Sequence, residues 1–198
     1  MAKRLFDIMA ALLGLAVLVV PGLWLAAWIK LDSPGPVFFR QERVGRHGRL
    51  FRIHKFRTMR VDAERLGGPL TVGADARVTR VGRWLRAHRL DELPQLIDVL
   101  VGEMSLVGPR PEVPRYVALY PADLRERVLA VRPGITDPAS LAFRGEAGLL
   151  AAAADPEREY VEVILPKKLA LAAEYAARAS LWTDLGVVWR TMGVLFAR

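Results

Sequence analysis

Residues 8–29 read IMAALLGLAVLVVPGLWLAAWI, 22 consecutive residues without a charge. A helix of that length can cross a hydrocarbon core of about 30 Å. Both flanks are basic, with Lys3 and Arg4 before the run and Lys30 after it. Basic flanks favour the cytoplasmic side of a membrane, so a single pass would strand one of them outside. Pro21 lies inside the run beside Gly22. It cannot donate to the Val17 carbonyl, and its ring crowds that turn. Residues 5–20 would span about 24 Å and residues 22–31 about 15 Å, at about 1.5 Å per residue. Together they exceed the core, and separately each is too short. A helix that enters, bends at Val20-Pro21 and returns to the same face satisfies both flanks. A tilted single pass kinked at Pro21 is the simpler alternative, and the residues alone favour it. No small-residue cleavage site follows, so the run is not a good signal peptide.

The chain has 198 residues, no cysteine and three histidines. One domain is the default at that length. Disulfide scaffolds, thiolate zinc sites and cysteine nucleophiles are excluded. Net charge is +8, and 53% of the residues are hydrophobic. The charge excess lies wholly in residues 1–99, which carry 17 basic and 9 acidic residues, against 12 and 12 in residues 100–198. Arg77, Arg80, Arg83, Arg86 and Arg89 recur every third residue, a spacing that makes a broad basic stripe on a helix. The plain reading is a solvated face. The sharper one is a surface for phosphates on lipid, nucleotide or nucleic acid.

Pro34 and Pro36 end the apolar segment. Residues 37–44 and 50–59 are rich in β-branched and aromatic residues around Gly45-Arg46-His47-Gly48, which predicts a β-hairpin. Residues 62–78 read as loop, and a helix is expected from Thr79 through Leu85. Asp91 can cap a further helix with Pro94 in its first turn, an apolar face at Leu93, Leu96, Ile97 and Leu100, and a stop at Gly102. Taken alone, Asp91 is a cap and Glu92 a first-turn carboxylate favoured by the helix dipole. The setting weakens that reading. Two adjacent carboxylates follow an arginine run, and Arg110 lies downstream between Pro109 and Pro111. A carboxylate near arginines stays ionised, and can hold a divalent cation or attack phosphorus.

Beyond residue 111 an amphipathic helix is expected over 121–131. A longer helical pattern follows over 155–177, broken or kinked by Pro166. Ser180 can cap a last helix, striped by Leu181, Trp182, Leu185, Val188, Trp189, Met192, Leu195 and Phe196, with Asp184, Arg190 and Thr191 facing away. That stripe reads as core packing, or alternatively as a face docked on a membrane interface.

The chain resembles the bacterial sugar transferases, the monotopic phosphoglycosyl transferases that initiate surface glycan assembly. The resemblance runs through Lys3-Arg4-Leu5-Phe6-Asp7, Ser33-Pro34-Gly35-Pro36, Gln41-Glu42-Arg43-Val44-Gly45 and Lys55-Phe56-Arg57-Thr58-Met59. It continues through Leu90-Asp91-Glu92-Leu93-Pro94-Gln95, Gly102-Glu103-Met104-Ser105-Leu106-Val107-Gly108-Pro109-Arg110-Pro111 and Arg132-Pro133-Gly134-Ile135-Thr136. It implies transfer of a sugar-1-phosphate from a UDP-sugar to undecaprenyl (polyprenyl) phosphate with release of UMP, using Mg²⁺ as cofactor and a covalent aspartyl phospho-sugar intermediate on the enzyme. Asp91 would be the nucleophile and Glu92 its acidic partner, both candidates for metal. Arg110 would bind the diphosphate, with Arg86, Lys55, Arg57, Pro109 and Pro111 as further substrate-binding candidates.

The implied fold is α+β and mainly helical. Residues 1–32 would be a re-entrant membrane helix. Residues 33–198 would be a cytosolic catalytic domain with a small β-hairpin and interfacial amphipathic helices, on the cytoplasmic face of the bacterial inner membrane. Membrane lipid is an expected partner and nucleic acid is not; a homodimer is the one candidate assembly. Three departures stand out. Val20-Pro21 replaces the family's usual Ser-Pro. Asp98 and Glu103 stand where many relatives have Asn and Asp. Asp137-Pro138 follows Ile135-Thr136 in place of Gly-Trp, and the stretch 137–146 is a candidate determinant of sugar choice. The competing reading is a non-enzymatic module that binds anionic lipid or nucleic acid through its Arg-rich face. Neutralising Asp91 and Glu92 should strengthen such a binder.

Overall fold

The apolar run forms one helix, α1 (Ala2–Asp32), which continues through Pro21. The structure, a computed structural model, describes residues 1–68 and 70–196. A proline removes one ladder hydrogen bond, and the turns on both sides of it are held by packing. Toward the rest of the molecule α1 buries Asp7, Ala11 and Ile29. Leu15 and Leu18 pack with Phe51, Ile53, Leu96 and Val99, and Leu25 packs beside Ile29 against Phe56, Val81 and Leu85. A Cβ at Gly14 would sit 2.8 Å from a Leu96 methyl, so glycine sets this close approach. On the other face Leu13, Val17, Val20, Leu23 and Trp24 are exposed.

Both ends of α1 are tied to the same body. Arg4 donates to the Val99 and Leu100 carbonyls at 2.7 and 3.1 Å, at the negative end of α4 (Gln95–Val101). Asp7 accepts from Ser105 Oγ at 2.9 Å and from Leu106 N at 3.1 Å. At the far end Asp32 accepts from Val81 N at 3.0 Å, in the first turn of α3 (Arg80–Ala87). Arg57 then staples the exit of the chain: its guanidinium is buried and donates to Ser33 O, Ser33 Oγ, Pro34 O and Pro36 O.

The predicted hairpin forms as β1 (Phe38–Val44) and β2 (Leu50–Phe56), antiparallel, with Phe39 opposite Lys55 and Arg43 opposite Phe51. Among the described residues of 62–78, the short α2 (Ala63–Leu66) is the one helix and the rest is loop. α3 starts where expected, with Thr79 as its cap, accepting from Gly82 N at 2.9 Å. The expected basic stripe does not form, because α3 begins only at Arg80. Arg77 lies before it and clamps the loop through Asp75, Gly68 O and Leu70 O, while Arg89 lies beyond it. Gly102, at φ +90°, ends α4 as read from the sequence.

A second, parallel pair joins β3 (Ser105–Val107) to β4 (Gly134–Thr136). Strands of three residues carry no readable alternation, and this pair was not foreseen. Between them lie α5 (Pro114–Val117) and α6 (Ala122–Leu129). After β4 come α7 (Pro138–Ala142), α8 (Glu146–Ala152) and α9 (Pro156–Glu159). A π-turn over Tyr160–Ile164 leads into α10 (Leu165–Arg178). Residues 156–178 are therefore one continuous helical run, and the π segment directly before Pro166 is the distortion expected where a proline removes a ladder hydrogen bond.

The last helix, α11 (Leu181–Phe196), starts at Ser180, whose hydroxyl accepts from Thr183 N at 3.2 Å. Its orientation corrects the expectation. Asp184 is buried, bonded by Tyr175 Oη at 2.6 Å and paired with Lys3. Thr191 shares a 2.9 Å hydrogen bond with Thr136. Trp182 and Trp189 are each 81% exposed. Asp184 and Thr191 pack inward because their partners come from α1, α10 and β4, which periodicity cannot reveal, while Arg190 is exposed. The side chains of Leu195 and Phe196 lie outside the described residues.

Asp184→Ala should cost about 3 kcal/mol of unfolding free energy, because it removes the counter-ion of Lys3 and leaves Lys3 and Tyr175 to share the Val107 carbonyl. Trp189→Ala should change it by less than about 0.5 kcal/mol. Urea unfolding of both variants in detergent checks the contrast.

Candidate active site

α3 ends at a left-handed residue, Arg89 (φ 58°), which turns the chain into a short 3₁₀ turn, Leu90–Glu92. Asp91 and Glu92 are both buried there. α4 begins only after Pro94, so Asp91 caps nothing. No donor among the described residues hydrogen-bonds its carboxylate; its interactions are with neighbouring charges alone. The capping explanation for Asp91 is thereby removed.

Glu92 is fully engaged. Its Oε1 accepts from Lys55 Nζ at 2.6 Å and from Arg110 Nη2, and its Oε2 accepts from Arg110 Nη1 at 3.1 Å. Lys55 comes from β2, on the face whose neighbours Phe51 and Ile53 enter the core beside α4. Arg110 comes from the loop after β3. Its main-chain N–H donates to Asp137 at 3.3 Å, and Asp137 in turn caps α7 by accepting from Ser140 N at 2.6 Å. Prolines on both sides fix φ, so the guanidinium is presented with little freedom to lose. Arg86, on α3, donates to Thr58 Oγ1 at 2.8 Å and Thr71 Oγ1 at 3.1 Å, and its charge acts on Asp91.

These surroundings separate the two carboxylates. Burial pushes Glu92 up, but Arg110 and Lys55 together outweigh it and hold Glu92 well below the usual carboxylate range. Burial also pushes Asp91 up; the charge of Glu92 adds to that, and Lys55, Arg86 and Arg110 offset it only in part. Of the pair, Asp91 is protonated first and Glu92 stays ionised. Burial lowers Lys55 against the pull of Glu92, while Glu92 keeps Arg110 firmly charged.

Among the described residues no group of three or more His, Asp or Glu is placed to hold a metal. Asp91 offers an unspent carboxylate, while the oxygens of Glu92 already face two cations. Mg²⁺ commonly takes one or two carboxylates and completes its shell with water and substrate phosphate. This donor set fits an ion that arrives with a phosphate substrate, and does not fit an all-protein cage.

The structure thus brings Asp91, Glu92, Lys55, Arg86 and Arg110 together. Pro109 and Pro111 contribute through their carbonyls, which accept from Gly134 N at 3.0 Å and from Arg43 Nη1 at 3.0 Å. Arg57 does not join the cluster, being spent on the residue 33–36 carbonyls. Val20 and Pro21 lie on the exposed face of α1. Sequence reasoning passed over Arg43 and Glu112, whose side chains lie 3.6 Å apart beside the Arg110 loop. The available signal was strand alternation, which puts Arg43 on the inward face with Phe51, Ile53 and Lys55.

Residues 1–198 match the family model described as bacterial sugar transferase. The chain is 45% identical over 196 residues to a UDP-glucose:undecaprenyl-phosphate glucose-1-phosphate transferase of Caulobacter vibrioides, covering 96% of this chain and 68% of that protein. It is 40% identical over 192 residues to a UDP-N-acetylgalactosamine-undecaprenyl-phosphate N-acetylgalactosaminephosphotransferase of Aeromonas hydrophila, covering 96% of this chain and 42% of that one. It is 41% identical over 196 residues to an undecaprenyl-phosphate glucose phosphotransferase of Komagataeibacter xylinus, of which it spans 35%.

In Glu92→Gln the negative neighbour of Asp91 is gone and Lys55 and Arg110 are released toward it. Both changes lower the Asp91 pKa. A carboxyl ¹³C NMR titration of aspartate-labelled protein should show the raised aspartate of the parent moving to lower pH in the variant; a shift upward would contradict this electrostatic account.

Proposed function

The chain belongs to the bacterial sugar transferase family, and from that membership and the geometry of Asp91 we propose that it moves a sugar-1-phosphate from a UDP-sugar to undecaprenyl phosphate, releasing UMP. The observation that carries the reading is the Asp91 carboxylate, buried, without a hydrogen-bond partner among the described residues, and facing the charges of Lys55, Arg86 and Arg110. A diphosphate repels an anionic nucleophile, and those three cations lower the repulsion. An Asp91 oxygen attacks the β-phosphorus. The bond from that phosphorus to the bridging oxygen breaks, and UMP leaves with the electron pair. The aspartyl phosphate is an acyl phosphate, reactive enough to pass its group on. An oxygen of the polyprenyl phosphate then attacks the same phosphorus and restores the Asp91 carboxylate. Asp91 would hold Mg²⁺ together with the diphosphate, while Glu92, whose oxygens face Lys55 and Arg110, would not also ligate the ion; the ion would supply charge neutralisation there. Glu92 keeps Lys55 and Arg110 aimed at the site.

Residues 1–32 form the membrane element in this reading, re-entrant from the cytoplasmic face of the bacterial inner membrane, and residues 33–198 form the catalytic domain on that face. Two observations support it. Arg4, Asp7 and Asp32 tie both ends of α1 to one body, so that body need not be split across a bilayer. The outward faces of α1 and α11 are apolar and carry exposed Trp24, Trp182 and Trp189, as an interface-lying surface requires. Exopolysaccharide or other surface glycan synthesis is the pathway class. The relatives act on different sugars, so no donor sugar is assigned. A non-enzymatic electrostatic binder is not favoured: it gains nothing from two carboxylates buried among its cations.

The test is UMP release by the purified full-length chain with undecaprenyl phosphate, Mg²⁺ and a panel of UDP-sugars. Release with at least one sugar is expected, abolished by EDTA. Asp91→Asn should lower it by about 10³-fold or more while leaving membrane association intact. Arg86→Ala should lower turnover by about 10- to 100-fold. Turnover retained in Asp91→Asn would sink the mechanism.

A further inference from the structure

Arg43 is an expensive residue for its position. It stands on the inward face of β1, where a leucine would pack without desolvating a charge, and burial lowers its pKa. Its Nε is buried without a hydrogen-bond partner. Its Nη1 donates to Pro111 O at 3.0 Å and its Nη2 to Gln41 Oε1 at 2.6 Å. Glu112 lies 3.6 Å from Nη1 and is itself fixed. Its main-chain carbonyl accepts from Val44 N at 2.9 Å, and its Oε1 accepts from Tyr160 Oη at 2.7 Å with Lys168 Nζ 3.8 Å away.

These contacts converge on the segment that carries Arg110. Pro109 and Pro111 have no N–H, so that segment can be held only through its carbonyls and the Arg110 amide. Gly134 takes the Pro109 carbonyl, Asp137 takes the amide, and Arg43 takes the Pro111 carbonyl. The fork of Arg110 on Glu92 needs a fixed loop, because a bidentate contact tolerates little rotation. Electrostatically Arg43 works against Arg110, being a like charge beside it, and Glu112 offsets this. A residue that opposes its neighbour's charge yet grips its backbone acts on geometry.

We propose that Arg43, together with Glu112, is a positioning pair that holds the residue 109–112 segment so that the Arg110 guanidinium stays forked on Glu92 and aimed at the donor diphosphate. The donor part of this statement rests on the transferase reading; the bracing part does not.

The experiment has two arms. In the first, Arg43→Gln, Arg110→Ala and the double variant are assayed for UMP release in the full chain. Arg43→Gln should raise KM for the UDP-sugar about tenfold, and by less than about twofold once Arg110 is already alanine. Arg43→Lys keeps the charge but cannot reach Pro111 O, Gln41 and Glu112 together, so it should not rescue. Equal losses in both backgrounds, or rescue by lysine, would overturn the proposal. In the second arm, hydrogen–deuterium exchange is read on the peptide covering residues 108–113. It should accelerate in Arg43→Gln and in Arg43→Lys while β2 stays protected. Unchanged exchange there would equally overturn it. Should Arg43→Gln fail to fold, Arg43→Lys and Glu112→Gln carry the same comparison. A parent chain that makes no UMP with any UDP-sugar would count against the transferase reading, and the exchange arm would still decide the brace.

Discussion

Everything about the site depends on Glu92 holding two cations from distant parts of the chain. Lys55 lies 37 residues before it and Arg110 18 residues after it. The contacts fasten β2, the 3₁₀ turn and the loop after β3 to one point. Such a buried cluster is weak evidence of net stabilisation, because desolvating the charges costs about as much as their attraction returns. Breaking it is another matter, since any one deletion strands the others. Its effect is on the neighbour. With Glu92 neutralised by its partners, Asp91 is left without a partner of its own, and a buried carboxylate in that condition is available for chemistry.

The second constraint is that the proposed phosphate chemistry has to take place beside an apolar surface. Two helices solve this by turning their polar residues inward. α1 buries Asp7 and α11 buries Asp184, and both meet β3: Asp7 through Ser105 and Leu106 N, Asp184 through Lys3 and Tyr175, which both bond Val107 O. A strand of three residues thus anchors both apolar helices, and the Arg110 loop leaves directly from its end. The depth of the apolar face and the aim of Arg110 are set by the same short element.

How much of this was legible follows the distance over which each feature is decided. The hairpin, the helix start near Thr79 and the Gly102 stop are local and were readable, since a turn residue or a helix end is decided within about four positions. The roles of charged residues were not. Arg57 and Arg86 look alike in the sequence, yet Arg57 is spent on the carbonyls that follow α1 and Arg86 faces Asp91. Asp184 looked like the solvent side of α11 because Lys3 lies 181 residues away. Asp91 was read from its residues as a cap because the delay of α4 past Pro94 depends on the left-handed turn at Arg89, a conformation that a non-glycine residue does not announce. The neighbouring arginines weaken that reading, and only the family strings overturn it.

A two-step route also accounts for the number of cations. Donor diphosphate and acceptor phosphate are both anionic, and a direct transfer would place both in the site at once. On the proposed route they occupy it in turn, with the sugar phosphate parked on Asp91 between them. Three cations around one carboxylate are then enough for each step. The same reasoning explains why Glu92 must stay ionised while Asp91 is the carboxylate poised to change state. A protonated Glu92 would release Lys55 and Arg110 to pair with Asp91, and a nucleophile gripped by two cations is a poor one. The braced Arg110 loop acts against that outcome by keeping the guanidinium on Glu92.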